Sequence, residues 1–427
     1  MSQPVEVGET VQACPQCGTI VRCDARFTTW CAECDWNVDP VAPEPETGRL
    51  ARVRRELAGR HGKRLHAELT GTGEQVPVAR RGGASVVAFA VALLVHAVTV
   101  VVAGCGGWLL VTGWGHTGRL LGAVALLAVA WTLRPRFGRL PEDVPVLRRA
   151  TAPALFALVD EVAEVVGSRG VDVVVLTTDL NACVSSYGLR GKRVLTLGIP
   201  LWEVLGPQER VALLGHELGH FSNGDVRHGV VIGQALRSLL TWHYYVRPTP
   251  HPTPLEACVN LLTLAPRLVV TGLLYLLDRA TLRAAQRAEY LADAKAADAA
   301  ATDAAVRLMD ALLVLASADT MLRREVNARQ VKSRSTDAAG LWDRLADHIR
   351  SVPGHEYERL RRAGARRGHC ADSTHPPTHL RRDMLAASAP RDAAVRLSPA
   401  RATDVAAELA PGRARLAEEL LRDGMPD

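Results

Sequence analysis

Hydrophobic positions early in the chain form two long apolar runs. Residues 82–118 contain no Asp, Glu, Lys or Arg, and residues 84–103 within them are almost wholly apolar. At 1.5 Å per residue, a helix over residues 84–103 would cross about 30 Å of hydrocarbon. A second run at residues 120–133 reaches spanning length if residues 108–118 contribute. We therefore predict a transmembrane hairpin over residues 83–134, with two buried helices of a soluble core as the alternative.

After the second run the pattern becomes that of a globular domain. Apolar residues recur at helical spacing over residues 155–166, whereas residues 171–177 and 194–199 predict buried strands. Residues 181–187 predict an extended segment between the strands, and residues 278–305 predict an Ala-rich helix. The predicted fold class is α+β, mainly helical, with a small sheet.

The charges that flank the two apolar runs predict their orientation. Residues 49–81 and residues 134–149 are both rich in Arg, whereas the turn between the runs has no Lys or Arg. Because basic segments stay on the cytoplasmic side, both ends of the hairpin should be cytoplasmic. We expect a multi-pass protein of a cell (plasma) membrane, and the preference for Arg over Lys is typical of a bacterial chain from a GC-rich genome.

The composition of the chain disfavours several classes of protein. The formal charge of +6, from 51 basic against 45 acidic residues, is too small an excess to imply a nucleic-acid partner. Hydrophobic residues make up 48% of the chain, which disfavours disorder. The nine cysteines are an odd number, and the N-terminus lacks the pattern of a secretory signal, so we expect reduced thiols.

Two CxxC pairs lie near the N-terminus, formed by Cys14, Cys17, Cys31 and Cys34. Two such pairs at this separation can hold one Zn²⁺ by four thiolates, which leaves Cys23 as a spare thiol. Unliganded core cysteines or a redox pair are the alternatives. We predict a structural zinc ribbon over residues 1–40, folded by its metal and able to bind a protein partner.

The strongest catalytic pattern is His-Glu-Leu-Gly-His at residues 216–220. On a helix, His216 and His220 lie four residues apart on one face, where both imidazoles can bind one Zn²⁺. Glu217 lies beside them and can take a proton from the attacking water. This spacing predicts a catalytic zinc site that still needs a third ligand.

No His follows at the metzincin spacing, so the third ligand should be a carboxylate. Glu289, on the predicted Ala-rich helix, is the best candidate, because a His₂Glu set with one open position is typical of catalytic zinc. Asp293, one turn further on the same face, would accept the free ring N–H of a ligand His. Spacing alone leaves a solvated helix charge as an equal alternative for Glu289.

His-Glu-Leu-Gly-His, a long insertion and then Glu-Tyr-Leu-Ala-Asp together resemble the HtpX and CAAX prenyl-protease family of membrane-anchored zinc metallopeptidases, over residues 145–385. The resemblance implies a zincin-type domain. It also implies that Asn181, Ala182 and Cys183 bind an extended substrate from the edge strand beside the cleft. Cys183 stands where the family usually has an aromatic residue, which leaves substrate preference open.

Two further positions take their roles from the resemblance. Asp225 matches an acidic position that follows the family's HExxH. The resemblance implies that Asp225 supports the metal ligands without binding the metal itself. His375 lies in a segment that resembles the family's C-terminal His-Pro element, which implies that it donates to the oxyanion. His379 and Tyr290 are the alternatives for that donor. Arg382 stands where the family usually has an aliphatic residue.

The predicted organisation has five parts: a zinc ribbon (1–40), a Pro-rich then basic linker (41–82), the transmembrane hairpin (83–134), a zinc metallopeptidase domain (135–390) with a membrane-associated insertion (226–277), and a helical tail (391–427).

The predicted function is a membrane-anchored zinc endopeptidase that cuts membrane or misfolded proteins on the cytoplasmic side, with one catalytic and one structural Zn²⁺. Glu217 is the expected general base. Its partners would be protein or peptide substrates and the lipid bilayer. The alternative is a non-enzymatic membrane adaptor or sensor that binds a partner through its ribbon. A prenyl-processing enzyme shares the chemistry but should have more spans.

Overall fold

A computed structural model of the 427-residue chain gives the fold. It describes residues 10–40, 59–60, 62–68, 83–134, 140, 143–188, 191–222, 226–250, 252–332, 338–367 and 376–425.

The N-terminal part is a small cysteine-centred unit. Strands β1 (Thr10–Ala13) and β2 (Ile20–Cys23) pair antiparallel. Gly18, in the turn between them, has a φ of +78°, a left-handed conformation that glycine adopts without strain. Cys14, Val21 and Cys31 form the buried centre of this unit.

Helices α1 (Gly83–Thr112) and α2 (Thr117–Leu133) form an antiparallel hairpin. Residues 108–112 belong to the end of α1, so only residues 117–118 of the segment 108–118 extend the second helix, and α2 with its 17 residues is shorter than the predicted span. No proline interrupts α1, and a Cβ at Gly106 would lie 2.9 Å from Leu127 Cγ, so the glycine allows the two helices to approach closely. Among the described residues, α1 is the single continuous helix long and apolar enough to cross a membrane.

A four-stranded sheet follows, with strands β3 (Val146–Leu147), β4 (Val173–Thr177), β5 (Ala182–Tyr187) and β6 (Lys192–Gly198). The strand order is β3-β4-β6-β5, with β4 and β6 parallel and the other pairs antiparallel. β5 therefore lies at an edge of this sheet. Helix α3 (Pro153–Val166) precedes β4, as its apolar periodicity predicts.

The remainder of the described chain is helical, in agreement with the predicted α+β, mainly helical class. The helices are α4 (Ile199–Val204), α5 (Pro207–Ser222), α6 (Val226–Tyr245), α7 (Pro254–Leu262), α8 (Leu264–Ala300), α9 (Thr302–Leu313), α10 (Leu315–Lys332), α11 (Leu341–Arg350), α12 (Gly354–Arg367), α13 (Thr378–Ala387) and α14 (Pro399–Asp423).

The helix predicted over residues 278–305 differs from the structure at both ends. α8 begins at Leu264, and it stops at Ala300 because Ala301 has a φ of +86°, which breaks the helical backbone before α9. Apolar periodicity continues across this break, so the sequence pattern alone does not show it. The long α8 contains both the apolar residues 264–277 of the insertion and the candidate metal ligand Glu289.

Two separate cores hold these elements. The main core joins the sheet, α3, α5, the second half of α8 and the C-terminal helices. A second core joins α1, α6 and the first half of α8, and it includes Val95, Leu239 and Leu277. Trp242 Nε1 also donates to the Leu133 carbonyl at the end of α2. The 226–277 insertion thus packs on the N-terminal hairpin.

Candidate active site

Helix α5 carries the HExxH residues and packs unusually close to α8. A Cβ at Gly215 would lie 3.0 Å from Ala296 Cα, and one at Gly219 would lie 3.2 Å from Ala292 Cα. Small residues on both helices therefore permit the backbones to approach. This approach brings the side chains of α5 within reach of Glu289 on α8.

Three side chains from these two helices converge. His216 Nε2 lies 3.2 Å from His220 Nε2 and 3.5 Å from Glu289 Oε2. His220 Nε2 lies 3.6 Å from Glu289 Oε1. One potential ligand atom from each residue lies within 4.8 Å of the others, and His216 and Glu289 are buried.

This donor set fits a zinc ion. Zinc binds imidazole nitrogen and carboxylate oxygen at about 2.0 to 2.2 Å, so two tetrahedral ligand atoms should lie about 3.3 Å apart. The separations of 3.2, 3.5 and 3.6 Å among His216, His220 and Glu289 are close to that edge length. Two neutral imidazoles and one carboxylate also leave a fourth coordination position open, as in catalytic zinc sites.

A buried ion pair lies directly behind the donors. Asp293 Oδ1 lies 3.0 Å from His216 Nδ1, which orients the imidazole so that Nε2 faces the metal position. Arg381, on α13, donates to both carboxylate oxygens of Asp293, at 2.6 and 2.8 Å. Arg381 Nη1 also lies 3.4 Å from Glu289 Oε2. Arg381 thus restrains one ligand directly and another through Asp293.

The charges of this group stabilise one another. Burial raises the pKa of Asp293, but the charge and hydrogen bonds of the Arg381 guanidinium have the larger effect. The pKa of Asp293 is therefore held far below its ordinary value. Burial lowers the pKa of His216, but the hydrogen bond to Asp293 outweighs it, so the net shift is upward. Asp293 and Glu289 raise the pKa of Arg381 despite its burial. The site therefore keeps Asp293 and Arg381 charged.

The sequence reasoning did not assign a role to Arg381. An Arg in an Arg-rich chain carries little information by its type. Its neighbour Arg382 donates from Nε to Asp310 Oδ1 at 2.7 Å. That ion pair accounts for a charged residue where the family usually has an aliphatic one.

Glu217 is buried beside the ligand pair and close to the edge strand. Desolvation raises the pKa of the Cys183 thiol on β5, and the nearby Glu217 carboxylate raises it further. Asn181 caps the start of β5, because its Oδ1 accepts from the Ala182 backbone N–H at 2.9 Å. The candidate general base and the predicted substrate-binding segment thus lie next to each other.

Two predicted site residues, Asp225 and His375, lie outside the described residues. Of the alternatives to His375, Tyr290 is fully buried in α8. His379 lies in the first turn of α13.

The four ribbon cysteines also converge. Cys14 and Cys34 have their Sγ atoms 3.7 Å apart, and the Sγ atoms of Cys17 and Cys31 are 3.5 Å apart. With Zn–S bonds of about 2.3 Å, a tetrahedral site needs Sγ atoms about 3.8 Å apart, so the four thiols fit zinc. Hydrogen bonds with Thr19 lower the pKa of Cys17 to about 6, which favours one thiolate before any metal binds.

A convergent His₂Glu site on two helices, beside a small sheet with an edge strand, defines the zincin class of metallopeptidases. The model of the peptidase family M48 matches residues 149–388, which is more than half of the chain. The chain therefore belongs to peptidase family M48, whose members are zinc-dependent metallopeptidases. No curated protein and no solved structure matches the sequence.

Proposed function

We propose that this protein is a membrane-anchored zinc endopeptidase whose active site consists of His216, His220, Glu289 and Glu217. The observation that carries the proposal is the convergence of the three candidate ligands on two tightly packed helices, with Glu217 between the two His in sequence. The zinc held there would polarise the scissile carbonyl and lower the pKa of a water molecule.

Each residue has a defined task in this proposal. His216, His220 and Glu289 hold the metal. Glu217 takes the proton from the attacking water and delivers it to the leaving amine. Asp293 and Arg381 keep His216 and Glu289 oriented. His375 is proposed to donate to the oxyanion, and Asp225 to support the ligands, as the family resemblance implies.

An extended peptide would bind along β5. Among the described strands, β5 pairs with β6 alone, so the outer edge of β5 has backbone groups available for a further strand. A peptide added there would gain backbone hydrogen bonds and only loose side-chain selection. Because Cys183 lies near Glu217, a peptide on this edge would place its scissile bond beside the general base.

We further propose that the membrane contacts the surface formed by α1, α2, α7 and the first half of α8. Large apolar side chains are exposed there, among them Val100, Val111, Leu121, Trp131, Leu255, Leu262 and Leu268. Contiguous exposed apolar surface of this kind is typical of a lipid contact. The bent pair α7–α8, with a 48° bend, would form a second membrane segment beside the α1–α2 hairpin.

The length of α8 relates this surface to the site. Leu276 is exposed near the end of the apolar part, and Glu289 follows on the same helix about 20 Å further along, at 1.5 Å per residue. A site at that distance would cut the cytoplasmic segments of membrane proteins close to the bilayer, with the ribbon and the peptidase domain both on the cytoplasmic side.

Replacing Glu217 tests the proposal directly. Glu217→Gln keeps the size of the side chain but removes the base, so hydrolysis of an unfolded casein substrate should fall by a factor of about 10²–10⁴ with zinc content unchanged. Glu164→Gln on the exposed face of α3 is the matched control. Equal activity in the Glu217→Gln protein and the wild type would refute the proposal and favour the adaptor hypothesis.

A further inference from the structure

The cysteine ribbon lies directly against the peptidase domain. Trp30 and Val38 of the ribbon are buried with Ala363 of α12 in one apolar cluster. Phe27, on the same side of the ribbon, packs against the main core of the peptidase domain. Arg26 Nη1 donates to Ser351 Oγ at the end of α11, at 3.2 Å. These contacts define the ribbon–α12 interface.

Arginines of α12 hold the ribbon at its second CxxC pair. Asp35 follows Cys34 directly, and its carboxylate accepts from Arg362 and Arg366, each at 2.8 Å. Arg362 also donates to the Ala32 carbonyl between the two cysteines. Arg359 donates to the Val38 carbonyl at 2.8 Å. The groups that bind α12 are therefore positioned by the loop that carries two candidate metal ligands.

A continuous series of ion pairs leads from this interface toward the active site. Glu358 accepts from Arg362 at 2.9 Å and from Arg361 at 3.0 Å. Arg361 also donates to Asp310 on α9, at 3.2 Å. Asp310 in turn accepts from Arg382 on α13, at 2.7 Å. Arg382 is the neighbour of Arg381, which holds Asp293 and approaches Glu289.

We infer that the ribbon's binding partner is the peptidase domain of its own chain, and that the metal-loaded ribbon fixes α12 and thereby positions Arg381. The docking part of this inference stands on the contacts alone. The positioning part rests on the proposed peptidase function, since it predicts an effect on hydrolysis. A separate protein bound through the ribbon would instead need the Trp30 side of the ribbon to be free, and α12 covers it.

The test uses full-length protein in detergent and two variants in the same loop. Asp35 has a φ of 57°, a backbone conformation that Asn also tolerates. Asp35→Asn therefore removes the charge that faces Arg362 and Arg366 without straining the backbone. Glu33→Gln removes one charge from an exposed position of the same CxxC pair and is the matched control. A third variant, Cys31→Ser, removes a ribbon ligand. Hydrogen exchange over residues 354–367, zinc per chain and casein hydrolysis are measured for each.

We expect amide exchange over residues 354–367 to rise about tenfold in Asp35→Asn, and further in Cys31→Ser, with Glu33→Gln equal to the wild type. In Asp35→Asn, zinc per chain should stay at the wild-type value while kcat/KM falls at least threefold. Unchanged exchange in both Asp35→Asn and Cys31→Ser would overturn the docking. Raised exchange with unchanged hydrolysis would overturn only the claim that the ribbon positions Arg381. Absence of hydrolysis in the wild type would overturn the proposed peptidase function, but it would not affect the conclusion that the ribbon docks on α12.

Discussion

Asp293 is fully buried, and both of its carboxylate oxygens accept from Arg381 while one also lies 3.0 Å from His216 Nδ1. Such a buried pair does not by itself stabilise the fold, because desolvating two charges costs about as much as their attraction returns. Removing one partner is different, since it leaves the other charge buried without compensation. The pair is best explained by its effect on the candidate metal ligands His216 and Glu289.

Asp293→Asn should weaken the candidate catalytic zinc site while leaving the ribbon site intact. It leaves the buried Arg381 charge only partly compensated, by Glu289, and removes the charge that orients His216, so we expect zinc affinity at this site to fall about 10–100-fold. Competition with a chelator measures this. Asp298→Asn on the same helix, where the carboxylate is about a third exposed at 37%, is the matched control. Equal affinities in the two variants would contradict the role assigned to Asp293.

Contacts between residues far apart in sequence could not be predicted from the sequence. His216, Glu217 and His220 follow from spacing on one helix, whereas Glu289 and Asp293 are favoured over a solvated helix charge only through the family resemblance. Arg381 lies 88 residues beyond Asp293 and joins them only through tertiary packing. The ribbon cysteines follow from their pairing in sequence, but the contacts of Asp35 with α12 have no sequence signal.

Helices α5 and α8 meet through glycine and alanine. Gly215 and Gly219 face Ala296 and Ala292, and a Cβ at either glycine would lie closer to its neighbours than nearly all packed Cβ atoms do. The small residues therefore set the distance between the His pair on α5 and Glu289 on α8. The geometry of the candidate metal site therefore depends on this close approach, although neither glycine is a candidate ligand.

Gly215→Val should separate the two helices and damage the site. Overpacking of this kind costs about 1–3 kcal/mol, and a shift of a few tenths of an ångström at the ligands should lower casein hydrolysis at least tenfold. Gly272→Val makes the same change on α8 at a position with open space around it and should leave hydrolysis unchanged. Comparable hydrolysis in the two variants would show that the packing does not set the ligand distance.

Element boundaries were less predictable than element types. Strands β4 and β6 and helix α3 lie close to their predicted positions, because apolar runs and helical periodicity are local signals. The second helix begins at Thr117 and not near residue 108, because residues 108–112 continue α1. The end of α8 depends on the conformation of the single residue Ala301.

In the whole molecule, two cores of different character share the long helix α8. The core with α1 and α6 is surrounded by exposed apolar side chains, whereas the core with the sheet contains the candidate active site. Apolar composition predicted the hairpin, but it could not show that the 226–277 insertion packs on it. The structure places this insertion beside α1, where Leu239 packs with Val95.

The proposed membrane contact predicts a difference in thiol reactivity. Cys105 lies exposed on α1 within the proposed span. In sealed vesicles it should be protected from a membrane-impermeant maleimide and become labelled after detergent is added. Ala386→Cys, exposed on α13 outside that surface, is the control and should be labelled in inverted vesicles without detergent. Labelling of Cys105 in intact vesicles of both orientations would contradict the membrane placement.

The most direct test of the central claim is zinc per chain in the detergent-purified protein and in a His216→Ala, His220→Ala double variant. Two separate zinc sites, one in the ribbon and one between α5 and α8, predict two zinc ions in the wild type and one in the double variant. One zinc in both proteins would contradict the catalytic site and would leave the ribbon as the metal-binding part of the chain.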